Sequence, residues 1–144
     1  MQKNVLLFLV VSLIWSCNAE TKKTEAKATG YDQCYVAVSG KDTAELQFNL
    51  KDGQIDGILA YNYFEKDQSK GRVSGNWRND TLIWDFDFFS EGTKSRSQVA
   101  LLRKGDRLLE GYGEVTEDSL GLRFTHPEKL NFGDSFIFVK TKCK

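Results

Sequence analysis

The chain carries three cysteines, a single histidine, and two aspartates separated by one residue, and each set implies a different chemistry. His126 precedes Pro127 in a polar stretch, so a Ser-His-Asp arrangement would hang on one imidazole, and a multi-histidine metal site is excluded. A lone histidine in such a loop reads as a solvated side chain. Asp85 and Asp87 alternate with Trp84, Phe86 and Phe88 in TLIWDFDFF, which puts both carboxylates on one face of a strand. Paired carboxylates do acid–base work in glycosidases. On an amphipathic strand the same pattern is the solvated face with aromatics inside, and that reading is adopted. Neither a Walker A sequence nor GxGxxG occurs, and Gly111-Tyr112-Gly113 is too short to cradle a phosphate. Glu114, Glu117 and Asp118 lack the spacing of a calcium loop. No catalytic residue, metal site or cofactor is therefore expected. A hydrolase resting on Asp85, Asp87 and His126 is the weakest functional reading.

The cysteines differ by position. Cys17 follows an apolar run, Val5 to Trp15, broken only by Ser12, and Lys3 is the only charge before Glu20. A bilayer-spanning helix needs roughly 20 apolar residues, whereas a signal-peptide core takes about 7–15. Ile14-Trp15-Ser16-Cys17 resembles a bacterial lipobox, with an aliphatic residue, then a small one directly before the cysteine to be lipidated. Asn18 to Gly30 (NAETKKTEAKATG) is polar, has no large apolar residue, and reads as a flexible tether. The alternative is an ordinary secretory signal that leaves Cys17 cleaved off or near the new N-terminus. The expected organisation is a lipoprotein signal peptide over 1–16, a lipidated cysteine and tether over 17–30, and one folded domain over 31–144. Acyl chains at about 0.8 kcal/mol per buried CH₂ would hold the protein to a membrane. Asn18 is not the aspartate that serves as an inner-membrane retention signal in enteric bacteria, which points to the outer membrane.

Cys34 and Cys143 lie near the two ends of the folded segment. Export places them in an oxidising compartment, where such a pair usually bridges. The bridge would close a loop of about 110 residues, worth up to roughly 5 kcal/mol in the chain-entropy model, and would require the first and last strands to be neighbours. There is no CxxC spacing for zinc and no His-Cys grouping for a thiol nucleophile.

The elements between them read as hairpins. Thr43 to Lys51 alternates cleanly, with Ala44, Leu46, Phe48 and Leu50 on one face, and Asp52-Gly53 is a strong type I′ turn signal. Asn79-Asp80 and Gly105-Asp106 punctuate further runs, Gly71–Arg78, Thr81–Phe89, Arg96–Lys104 and Arg107–Val115. Leu122–Thr125 reads as a short strand, His126–Lys129 as a helical turn, and Ser135–Cys143 as the closing strand. Glycines at 57, 71, 75, 111 and 113 mark bends or close approaches in a tightly curved sheet. The expected fold is all-β: an antiparallel up-and-down meander of about eight strands, closed or nearly closed into a small barrel.

With 20 Lys+Arg against 20 Asp+Glu the chain is neutral, and without residues 1–16 it loses only the charge of Lys3. Such a body has no long-range field with which to hold nucleic acid. Tyr61, Tyr63, Trp77, Trp84, Phe86 and Phe88 have two readings. They line the mouth or interior of a barrel that binds a small apolar ligand, or they are the packed core. A hollow interior favours a carrier; a filled one favours a module that contacts an envelope protein partner or supports the envelope.

The lipobox-like start, the polar tether and a β-rich body ending in Cys143-Lys144 resemble small envelope lipoproteins of Bacteroidetes, of the flavobacterial type. The pieces that carry the likeness are Cys34-Tyr35, Tyr61 to Asp67 (YNYFEKD) and Glu110 to Glu114 (EGYGE). The resemblance implies an anchored envelope protein and brings no catalytic residues. More loosely the architecture is similar to lipocalin-type barrels, although Gly75-Asn76-Trp77, which has the lipocalin GxW spacing, lies mid-chain and not on the first strand.

Overall fold

The computed structural model describes residues 30–66, 68–90 and 92–143; the signal segment, Cys17 and nearly all of the tether lie outside them. Ten strands follow in chain order: β1 (Gln33–Ser39), β2 (Asp42–Lys51), β3 (Gln54–Asn62), β4 (Ser69–Arg78), β5 (Thr81–Ser90), β6 (Thr93–Lys104), β7 (Arg107–Tyr112), β8 (Val115–Asp118), β9 (Gly121–Phe124) and β10 (Asn131–Thr141). Strands β1 to β7 pair antiparallel with their chain neighbours, and β10 lies between β7 and β1. Eight strands thus close into an up-and-down barrel. The remaining two form a hairpin outside it, attached to β6 through the parallel pair Ser97–Leu122.

Alternation sets the inward face. Leu46 and Phe48 of β2, Ile55, Leu59 and Tyr61 of β3, Leu82, Trp84 and Phe86 of β5, and Phe136 and Phe138 of β10 form one buried cluster. The Asp52-Gly53 turn has positive φ at both residues, 51° and 79°, as the type I′ reading requires. Gly71 meets the requirement for close approach: a Cβ there would run into the backbone of Asp87 on β5.

Several stretches depart from the sequence reading. β4 begins at Ser69, not Gly71, and β6 at Thr93, not Arg96, because Thr93, Lys94 and Ser95 continue the ladder with Ser90, Phe89 and Phe88. Arg107–Val115 is not one strand: β7 stops at Tyr112, and Val115–Asp118 pairs instead with Gly121–Phe124. The closing strand begins at Asn131, not Ser135, because Asn131 and Phe132 pair with Tyr112 and Gly111 before the register breaks. Phe132 covers Gly111, where a Cβ would collide with its ring, so the small residue makes the earlier start of β10 feasible. Residues Pro127–Lys129 form the expected helical turn, of 3-10 type.

The two ends of the barrel differ. The turn end carries the two-residue turns Asp52-Gly53, Asn79-Asp80 and Gly105-Asp106, together with the start of β1 and the finish of β10. The loop end carries the longer connections that follow Asn62 and Tyr112. At the turn end Cys34 and Cys143 are bridged, with their Cα atoms 5.3 Å apart. The bridge reinforces the barrel's short seam: three register pairs join β1 to β10, against nine between β2 and β3.

Candidate functional site

The inward side of β7 runs Leu108, Glu110, Tyr112, and so delivers a carboxylate into the barrel near its loop end. Glu110 is 6% exposed and is the buried charged residue of the described chain. Tyr61 on β3 donates its hydroxyl proton to Oε1 at 2.5 Å, and Tyr112 donates to Oε2 at 2.8 Å. The Tyr112 oxygen also lies 2.5 Å from Ser135 Oγ. Since the single Tyr112 proton is given to the carboxylate, the Ser135 hydroxyl donates in turn to Tyr112. Ser135 reaches this position through a bulge. Between the pairs Phe132–Gly111 and Ile137–Leu109, residues 133–136 of β10 face Glu110 alone. Gly133 takes a φ of 101° there, a conformation that suits glycine.

Aromatic rings enclose the group. Tyr63 stacks on Tyr61 at 5.8 Å between centroids, and Phe136 tilts against both at 5.5 and 6.4 Å. Glu110 makes no ion pair among the described residues, and burial raises its pKa above the ordinary carboxyl value while the bonds from Tyr61 and Tyr112 pull it down. Tyr61 is pushed well above the usual phenol value by burial first and by the Glu110 carboxylate second. Tyr112 is raised by burial, against the opposing bond from Ser135, with Glu110 raising it further. Phenols so shifted keep their protons at neutral pH. The bonds from Tyr61 and Tyr112 fix the carboxylate and the two rings relative to one another.

The six aromatics singled out from sequence divide along the barrel. Tyr61, Trp84 and Phe86 are core residues, and Trp77 and Phe88 pack partly buried against that core. Tyr63 is 37% exposed at the loop end. They pack on one another: Phe86 stacks on Phe88 at 4.7 Å and meets Tyr61 edge-on at 5.9 Å, while Trp84 meets Phe48 edge-on at 6.4 Å. At the turn end the Arg103 guanidinium sits 4.0 Å over the Trp77 ring.

Asp85 and Asp87 face outward, as the amphipathic reading requires. Arg96 grips Asp87 with two donors at 2.6 and 2.9 Å, and Arg123 of β9 stands 3.9 Å from both Asp85 and Asp118. The bond from Arg96 holds the Asp87 carboxyl below its usual pKa. His126 is exposed and pairs with Glu128, Nδ1 to Oε1 3.2 Å. The structure brings Cys34 to Cys143, and it binds the aspartate pair and the histidine to separate partners. Sequence reasoning passed over Glu110, Tyr112 and Ser135. The available signal was parity: Glu110 shares its strand face with Leu108, so a charge falls where the pattern demands an apolar residue. No protein-family model, curated protein or solved structure matches this chain.

Proposed function

We propose that this is a lipid-anchored bacterial envelope protein whose barrel serves as a non-catalytic interaction or structural module. The signal peptide over 1–16 is removed, Cys17 is acylated, and residues 18–30 tether the domain to the outer membrane. The observation that carries the module reading is the filled interior. Trp84, Phe138, Leu46, Ile55, Leu59, Leu82, Leu101, Leu108 and Val73 are all under 2% exposed and occupy the space a lipocalin-like carrier keeps for its ligand. An eight-stranded barrel is just wide enough for side chains to fill it. The non-catalytic half is supported by the bonding of the titratable groups: Asp85 and Asp87 are held by arginines, and Glu110 by tyrosines. The resemblance to Bacteroidetes envelope lipoproteins supports the anchor. Since β1 starts at the turn end, the tether joins there, which leaves the loop end on the far side from the attachment.

Metabolic labelling with an alkyne palmitate analogue tests the anchor. Wild type takes up label and fractionates with membranes, and Cys17→Ser does neither; an unlabelled wild type ends the anchoring claim. Native mass spectrometry of the full chain tests the filled barrel. A retained apolar ligand, displaced by Trp84→Ala, would replace the module by a carrier.

A further inference from the structure

We propose that the concavity beside the β10 bulge is a saccharide-binding site for a neutral sugar, with Tyr112 as its stacking platform. The proposal deepens the interaction reading given above and rests on it, while being independent of the lipid anchor. The concavity is a shallow depression, largely open to solvent, lined by Tyr112, Asn131, Asp134 and Ser135.

The lining chemistry selects the ligand. The Asn131 amide donates and accepts, the Ser135 oxygen and the Asp134 carboxylate accept, and Tyr112, 45% exposed, presents a ring with a polar tip. Vicinal hydroxyls, which both donate and accept, match that mixture. An anion is repelled by Asp134. A bare cation leaves the Asn131 amide hydrogens with nothing to bond. The carbon-bound hydrogens of a pyranose face supply the apolar surface that packs on an aromatic ring.

The platform is also held in place before any ligand arrives. The Tyr112 hydroxyl is fixed between Glu110 Oε2 and Ser135 Oγ, which removes much of the ordering cost of binding. This gives the buried carboxylate a purpose: Glu110 is a positioning residue that never touches the sugar. The bulge contributes as well, because it turns Asp134 and Ser135 toward the concavity, a re-aiming that bulges commonly perform.

The test uses the full chain in a sugar-free zwitterionic detergent, probed by saturation-transfer NMR and calorimetry. The probes are D-glucose, D-galactose and N-acetyl-D-glucosamine, with glucosamine hydrochloride and glucuronate as charged counterparts. At least one neutral sugar is expected to bind saturably, with a Kd on the order of 1 mM or tighter. Tyr112→Ala and Asp134→Ala each weaken binding by about tenfold or more, equivalent to about 1.4 kcal/mol. Asp134 makes no side-chain bond among the described residues, so its variant keeps the test sharp even where Tyr112→Ala unfolds. Glu110→Gln weakens the Kd several-fold at unchanged near-UV circular dichroism, whereas a purely structural Glu110 would lower only the melting temperature. The proposal is overturned if no neutral sugar binds saturably, if a charged probe binds more tightly, or if Asp134→Ala binds like wild type. Silence toward sugars with intact palmitate labelling would remove this site alone and leave the anchor standing.

Discussion

The two ends of this barrel are stabilised by different physics. At the turn end, tight turns, apolar packing around Trp84 and Phe48, and the Cys34–Cys143 bridge hold the strands together. At the loop end a buried carboxylate, two tyrosine hydroxyls and a serine do part of the work that apolar contact does elsewhere. The contrast teaches that a small barrel can close one end for stability and build a polar feature into the other. Packing and covalent restraint are indifferent to mild acid; a hydrogen-bonded carboxylate is not.

The comparison breaks most visibly where packing dominates. Trp84→Ala is expected to cost about 3–5 kcal/mol, because it removes a large side chain from a fully enclosed site; urea denaturation of the oxidised protein reads it. Replacing Cys34 and Cys143 by serine is expected to cost about 2–5 kcal/mol through loss of the long-loop restraint. Reductant should reproduce that loss in the wild type and have no effect on the double variant.

At the loop end Glu110→Ala is expected to cost about 1–3 kcal/mol, since the buried Tyr61 hydroxyl loses its acceptor. The pH dependence is the sharper measure. The Glu110 pKa is raised in the fold above its reference of 4.5, so the native state binds the proton more tightly than the unfolded chain. Its contribution is therefore fully present below pH 4.5 and declines as pH rises through the folded value. Glu110→Gln should flatten that decline, while Trp84→Ala should shift the whole curve without changing its slope. Equal slopes in wild type and Glu110→Gln would mean the two ends do not differ as described. The smallest effect belongs to Asp87→Asn on the outer face, a solvent-screened pair whose loss should shift the midpoint slightly at low salt and not at high salt.

Much of this fold was legible in the chain. Thr43–Lys51 and Thr81–Phe89 alternate with period two, and Asp52-Gly53 demands positive φ, so their pairing follows from local rules. The β8–β9 hairpin and the long β10 were not legible in full. Val115–Asp118 is exposed throughout, so no alternation marks it, and the start of β10 depends on Phe132 finding Gly111 across the sheet. The candidate site was hidden for the same reason. Tyr61, Glu110 and Ser135 come from β3, β7 and β10, so that even the ring of Tyr61 and the charge of Glu110 on an apolar face do not reveal that they meet.

By itself the sequence determined the all-β meander, its turns, and the pairing of Cys34 with Cys143, because these follow from periodicity, turn geometry and the scarcity of other cysteines. It also contained the lipobox-like cysteine on which the anchoring proposal rests. Tertiary structure alone decided that the aromatics pack against one another and that a carboxylate is buried among tyrosines. Barrel closure brings together side chains from strands far apart in sequence, and hydrogen bonding and burial depend on that meeting and not on the order of residues along the chain.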